Sequence, residues 1–166
     1  YMTTIGDSAF QSSNLIEITI PLSVESIGEF TFNKCESLTQ IIVEEGNAIY
    51  SSSEGILFDK SKEILIQYPI GKIQQSYAIP DNTKILLESS FQYSSLQSIT
   101  FPDTIEEIQN NVFSDNSKLN EAKTYADNIK DDLLNGASEA SDTLKELADL
   151  IDENHDKLCK MIDAQE

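Results

Sequence analysis

The stretch Ile27 to Val43 reads IGEFTFNKCESLTQIIV, and its spacing of apolar residues recurs through most of the chain. Ile27 is followed five residues on by Phe32, then by Leu38-x-x-Ile41-x-Val43. Upstream the same frame is Ile5, Phe10 and Leu15-x-x-Ile18-x-Ile20, closed by Pro21. Downstream it is Leu86, Phe91 and Leu96-x-x-Ile99-x-Phe101, closed by Pro102. An incomplete copy has Ile108, Phe113 and Leu119, and the expected Ile-x-Ile does not follow. Ile5 to Ile27 and Leu86 to Ile108 both span 22 residues. A unit of that length buries too little apolar surface alone, whereas stacked units share a continuous core.

Within a unit, the alternation in Leu-x-x-Ile-x-Ile predicts one strand. Ile18 and Ile20 point to one face, and Glu17 and Thr19 to the other. Pro21 ends that strand because it has no amide to donate to a ladder. Three residues past each proline comes a further anchor, Val24, Thr83 or Ile105, with Thr83 the weak match; six past it comes Ile27, Leu86 or Ile108. The Phe five residues later is expected to pack beneath the neighbouring strand from a short turn.

These residues resemble the BspA-like, treponema-type leucine-rich repeats, whose unit runs I-x-x-x-A-F-x-x-C-x-S-L-x-x-I-x-I-P-x-x-V. The matching runs are Ile5-Gly6-Asp7-Ser8-Ala9-Phe10, Phe32-Asn33-Lys34-Cys35-Glu36-Ser37-Leu38 and Ile18-Thr19-Ile20-Pro21. The resemblance covers residues 3–119. It implies a mainly β, curved, right-handed solenoid of short strands, found mostly on microbial surface proteins that bind host or neighbouring-cell ligands.

Between Val43 and Pro80 the frame is absent. Gly55-Ile56-Leu57-Phe58, Asp59-Lys60-Ser61-Lys62 and Glu63-Ile64-Leu65-Ile66-Gln67-Tyr68-Pro69 read as strand, turn and strand. Ile64, Ile66 and Tyr68 alternate as one buried face. The run Tyr50-Ser51-Ser52-Ser53-Glu54-Gly55-Ile56-Leu57-Phe58-Asp59-Lys60 resembles the hairpin-bearing unit of the same subclass, Y-S-S-x-x-G-x-L-F-x-K. The segment reads as one enlarged repeat with an inserted hairpin. That hairpin either keeps the solenoid closed or protrudes as a recognition loop.

The formal charge of −18 on 166 residues, with no arginine and no tryptophan, excludes a nucleic-acid binder, since phosphate contacts need clustered Lys and Arg. The same charge argues against docking on an anionic membrane surface. A hydrophobic content of 39% suits an elongated stack more than a tightly packed globule. No apolar run approaches the roughly 20 residues that cross a bilayer. The opening Tyr1-Met2, with no leader-like segment after it, reads as a fragment, a processed product or the ordered part of a longer protein. Cys35 and Cys159 lie in separate segments and form neither a disulfide framework nor a metal cluster.

Past Leu119 the apolar period changes from 2 to helical, dividing the chain into a solenoid over 1–119 and a helical oligomerisation segment over 120–166. Ala122, Tyr125, Ile129 and Leu133 share one helical face, and Gly136 is placed as a helix stop. Ser141 is placed as the N-cap of a second helix, with Asp142 in its first turn. That helix carries a heptad seam of Leu144, Leu147, Ile151, Asn154, Leu158 and Met161. From Asp142 to Asp163 it spans roughly 33 Å at 1.5 Å per residue. So narrow a stripe needs a helical partner, and the expected partner is another copy of the chain, in an assembly of two or three.

The run from Leu134 to Asp149, LNGASEASDTLKELAD, with Ala122-Lys123-Thr124-Tyr125-Ala126-Asp127 before it, resembles a motif beside trimerising segments of bacteriophage tail and appendage fibres. That resemblance implies a homotrimer and a virion fibre protein with a leucine-rich-repeat head.

No catalytic constellation, metal site or cofactor site is expected. Glu44-Glu45, Glu106-Glu107, Asp131-Asp132 and Asp152-Glu153 are adjacent in sequence and diverge, whereas glycosidase carboxylates face each other across ~5 to 9.5 Å. The single histidine, His155, lies at the rim of the heptad seam and leaves the serines and Cys35 without a base. Gly46, Gly55 and Gly71 read as turns rather than a phosphate loop. The reading is a non-enzymatic recognition module on a virion appendage or extracellular surface. It binds a protein or glycan through a repeat surface whose contact residues the sequence does not identify. The rival reading is a structural fibre subunit with the repeats as spacer.

Overall fold

The computed structural model describes residues 1–116, 119, 153 and 155–157. Ile5 stands opposite Ile27, and Leu86 opposite Ile108, so the 22-residue frame is also the register of the stack. These residues sit on two-residue parallel strands: β1 (Thr4–Ile5) beside β3 (Ser26–Ile27), and β9 (Ile85–Leu86) beside β11 (Glu107–Ile108). A second ladder joins β2 (Glu17–Ile20) to β4 (Gln40–Val43), and β8 (Ser76–Ala78) to β10 (Ser98–Thr100), again in parallel. Two strands per unit replace the single strand expected from the sequence, because a two-residue strand is too short to show alternation. On β2 the expected facing holds: Ile20 is buried, and Glu17 and Thr19 are exposed.

The resulting β-solenoid has about five turns. Coil 1 carries β1 and β2, coil 2 carries β3 and β4, coil 4 carries β9 and β10, and coil 5 begins with β11. Coil 3 is the variant. Its hairpin consists of β5 (Tyr50–Ser53) and β6 (Ile56–Asp59), and β6 pairs onward with β7 (Ile64–Gln67), which leads to β8. Glu54 and Gly55, with φ of 53° and 78°, form the two-residue turn between β5 and β6, both left-handed as a type I′ hairpin requires. A Cβ at Gly55 would stand 2.7 Å from that of Gln40, so the turn lies tight against β4 and does not protrude. Asp59 closes the next turn by accepting the amides of Ser61 and Ile64 and the Ser61 hydroxyl. The sheet order β11-β9-β7-β6-β5 puts β6 and β5 between β7 and coil 2. Tyr50 reaches across with its hydroxyl to accept the Ile27 amide at 2.9 Å.

Strand β6 divides the core. Leu57 packs into a cluster with Ile5, Ile20, Val24, Phe32, Leu38 and Ile41 of coils 1 and 2. Its neighbours Ile56 and Phe58 point the other way, into a cluster holding Leu65, Tyr68, Tyr77, Leu86, Phe91 and Phe113. On β7 the expected buried face is corrected. Leu65 is fully buried, while Ile64 and Ile66 are half-buried and Ile66 leans on the first cluster. The strand is covered on both sides, so no one-sided alternation applies.

Buried polar residues carry the links between coils. Asn47 donates to the carbonyls of Pro21 and Val24 and accepts the amides of Ile49 and Tyr50, tying coil 1 to the start of the hairpin. Thr83 occupies a fully buried anchor position, its hydroxyl 3.4 Å from the Lys62 carbonyl. Cys35 gives its thiol proton to the Phe10 carbonyl at 2.9 Å, and Asn116 donates to the equivalent Phe91 carbonyl at 3.0 Å.

At the far end Leu119 is helical and buried. Residues 153 and 155–157 are helical, and Lys157 bridges Glu153 (3.1 Å) and Asp103 of coil 4 (3.0 Å). These paired carboxylates hold the Lys157 ammonium above its ordinary pKa. His155 is half-buried in that helical turn. The helical face expected through Ala122, Tyr125, Ile129 and Leu133 lies outside the described residues. So do the seam residues Leu144, Leu147, Ile151, Asn154, Leu158 and Met161.

Candidate functional site

Each regular coil carries an outward loop between its two strands, and the loops form a ladder of their own. Amides of Ser8, Phe10 and Ser12 donate to the carbonyls of Glu29, Thr31 and Asn33 of coil 2. Amides of Ser89, Phe91 and Tyr93 donate to those of Asn110, Val112 and Ser114 of coil 5. The alternate residues needed for this geometry are left-handed and none is glycine: Ser8 and Ser12, Phe30 and Lys34, Ser89 and Tyr93, Asn111 and Asp115, all with φ between 54° and 62°. Between them the Phe side chains turn inward and stack, Phe10 on Phe32 at 5.9 Å and Phe91 on Phe113 at 5.3 Å.

Coil 3 breaks the ladder. Leu65 pairs with Leu86, yet the inward aromatic, Tyr68, comes three residues later rather than five. Tyr68 still stacks on Phe91 at 5.2 Å and donates its amide to Ser90 O. The chain then turns through Pro69 and Ile70, and Gly71 sits against the backbone of Glu36 to Leu38. The two residues that would carry the loop outward are missing, and the hairpin spaces coil 3 from coil 2. A groove of about 200 Å³ is left between the coil 2 loop (residues 28–33) and the coil 4 loop (residues 87–89), floored by Ile66 and Gln67. Asn33 crosses its outer end by donating to Gln92 Oε1 at 2.8 Å. The groove continues onto a shelf of Lys34, Tyr93 and Asn111, where the Lys34 ammonium lies 5.8 Å from the centre of the Tyr93 ring.

The walls combine one exposed ring with polar groups. Phe30 is 40% exposed despite its size. Glu29 and Glu88 stand exposed on opposite sides, with no ion pair among the described residues. Glu88 is held by Asn111, whose amide lies 3.4 Å from its carboxylate. An aromatic surface with a few oriented polar groups around it is the usual composition of a recognition site. Behind the groove, burial pushes the Tyr68 phenol up to about 12, with the Glu54 carboxylate adding to the effect, and raises that of Tyr77 further. Both stay protonated at neutral pH and act as core. Among the described residues no three His, Cys, Asp or Glu side chains converge as a metal site. Cys35 is a buried free thiol within the stack.

None of Phe30, Asn33, Glu88 or Gln92 stands out in the sequence. The signal that could have found the groove is the shortened Leu65 to Tyr68 spacing, which foretells a missing loop. The expected oligomer seam lies outside the described residues.

The pattern of the BspA-type leucine-rich-repeat region matches residues 3–136 in six copies, running past the boundary expected at residue 119. No curated protein matches the chain. Among solved structures, a leucine-rich repeat protein from Eubacterium ventriosum is similar at 31% identity and a TM-score of 0.65, covering 68% of this chain and 30% of its own. The pneumococcal vaccine antigen PcpA is similar at 38% identity and a TM-score of 0.62, covering 64% of this chain and 27% of its own. A leucine-rich cell surface protein from Faecalibacterium prausnitzii is similar at 28% identity and a TM-score of 0.61, covering 67% and 30%. The chain thus spans less than a third of the length of each of these relatives.

Proposed function

Because the chain belongs to the BspA-type leucine-rich-repeat family, we propose that it is a non-enzymatic recognition module displayed outside the cell, binding a protein or glycan through the loop-face groove of coil 3. The observation that carries this reading is the broken loop ladder. It leaves an exposed Phe30, the Asn33–Gln92 bridge and two carboxylates around one concave surface. The cell-surface relative from Faecalibacterium prausnitzii and the pneumococcal antigen support an extracellular setting. In this reading the acidic surface keeps the module soluble and off anionic membranes, and specificity comes from the groove.

The tail, on this proposal, gathers three chains through Leu144, Leu147, Ile151, Asn154, Leu158 and Met161. Linked weak sites gain roughly 10²–10⁴ in avidity without new contacts. Asn154→Leu should raise the melting temperature while broadening the distribution of oligomers, because a polar seam residue fixes register at a cost in stability. Sedimentation of the chain as a monomer at high micromolar concentration would remove the trimer from the reading. The bacteriophage-fibre reading rests on the motif over Leu134 to Asp149 and shares this multivalent arrangement.

The test is binding of the fluorescently labelled chain to a panel of intact cells and an immobilised glycan array, beside a Phe30→Ala, Gln92→Ala variant. Binding that falls about tenfold or more in the variant, at unchanged melting temperature, supports the groove, since truncating a central aromatic anchor typically costs 2 kcal/mol or more. Binding that ignores both substitutions places recognition elsewhere on the solenoid. Absence of binding to every target favours a structural spacer.

A further inference from the structure

The groove has a periodicity of its own. In coils 1 and 4, the amides three, five and seven residues past the first-ladder residue donate across to the next coil. In coil 2 those positions are Phe30, Phe32 and Lys34. Phe30 and Lys34 have the same left-handed φ (54° and 57°) as Ser8 and Ser12 (54° and 58°). The backbone conformation is therefore the same and the three amides point the same way, toward coil 3. Among the described residues no acceptor meets any of them.

The opposite wall repeats the signal. In coil 4 the carbonyls equivalent to Glu29, Thr31 and Asn33 are those of Glu88, Ser90 and Gln92. Ser90 O is taken by the Tyr68 amide, and those of Glu88 and Gln92 receive no donor among the described residues. The Ser90 hydroxyl is fully buried with no partner among the described residues, although its counterpart Thr31 donates to Gly6 O of the coil before it and to Gly28 O. A backbone donor or acceptor left unmet in a groove stays available to a partner that supplies the missing bond.

Resting on the groove as the binding site, we infer that its ligand is an extended peptide segment bearing a basic side chain, seated as the missing loop of coil 3. Its carbonyls accept the Phe30, Phe32 and Lys34 amides, and its own amides donate toward the carbonyls of Glu88 and Gln92. Donors on alternate residues of one wall and acceptors on the other match what a polypeptide offers, one donor and one acceptor per residue. This is strand addition in a loop ladder, where main-chain bonds give affinity and side-chain contacts give selectivity. Glu29 and Glu88 flank the path and select a Lys or Arg between them. Phe30 supplies a face for an apolar neighbour of that residue. Three amides at alternate positions require at least five residues of ligand.

The experiment selects a displayed library of short random peptides on the full chain and reads amide hydrogen exchange by NMR. In the free chain the amides of Phe30 and Lys34 should exchange about tenfold or more faster than those of Ser8 and Ser12, which share their conformation but are bonded. Selected peptides should carry a Lys or Arg, slow all three amides, and lose about tenfold in affinity to a Glu29→Lys, Glu88→Lys variant that melts like the parent. Selected peptides that bind without slowing these amides would overturn the inference. So would a selection with no enrichment over the charge-reversed variant. If the glycan array or cell binding is lost on Phe30→Ala while no peptide binds, the groove stands and the peptide falls. If neither is affected, both fall.

Discussion

Coils 1 and 2 and coils 3 to 5 share the same two ladders but fill them differently. The first half holds aliphatic side chains and one ring pair, Phe10 on Phe32. The second half holds a connected aromatic set in which Phe91 touches Tyr68, Tyr77 and Phe113. Strand β6, buried on both faces, lets the halves differ by giving each its own wall: Leu57 for one, Ile56 and Phe58 for the other. The repeat frame thus fixes where an inward ring goes, and the neighbouring coil decides how many partners it finds. The junction between halves is also where the loop ladder opens.

The largest test of this difference compares equivalent rings. Phe→Ala in a core costs roughly 3–5 kcal/mol, and Phe91→Ala should fall near the top of that range and Phe32→Ala near the bottom. Urea unfolding of both variants would show it, and equal losses would mean that the two cores are not distinct. Next comes Asn47→Ala, which strips partners from Pro21 O, Val24 O and two amides in the first half. It should cost about 2–3 kcal/mol, with exchange rising first in coils 1 and 2. A uniform rise along the chain would instead make β6 a conduit rather than a partition.

Alkali should separate the halves with no substitution at all. Tyr68 ionises at about 12 in the folded chain against about 10 when unfolded, and Tyr77 is raised as well. Groups with a raised folded pKa contribute stability that is whole below pH 10 and is lost as pH climbs toward the folded value. The second half should therefore loosen above about pH 10 before the first, and Tyr68→Phe should delay that loss. Near-ultraviolet circular dichroism and tyrosinate absorbance, followed together, check it. The smallest effect belongs to the bridge across the groove. The coupling between Asn33 and Gln92 in a double-mutant cycle should be about 0.5–1 kcal/mol, because the pair is half exposed.

Much of the stack was legible from residues alone. Ile5, Ile27, Leu86 and Ile108 gave the register, and Phe10, Phe32, Phe91 and Phe113 gave the inward rings. The short first-ladder strands were not legible, since two residues carry no period. Strand β5, reading Tyr-Ser-Ser-Ser, was hidden because its pairing is set by the Glu54-Gly55 turn and not by apolar side chains. The loop conformation was hidden too: Phe30 and Lys34 are poor residues for a left-handed backbone, and the cross-coil ladder enforces in coils 1 and 4 what local preference does not. The groove followed from that same hidden ladder, and only the Leu65 to Tyr68 spacing hinted at its interruption.

The thiol of Cys35 turns the stack into a clock. It lies fully buried between coils 1 and 2, its proton given to Phe10 O. A thiol reagent reaches it only when those coils part. With Cys159 replaced by Ser, Cys35 is the one remaining sulfhydryl of the two in the chain. Its labelling rate at saturating reagent then counts separations of coil 1 from coil 2, one event at a time, without perturbing any ring or strand. A sulfhydryl so placed also resists oxidation for as long as the two coils stay closed.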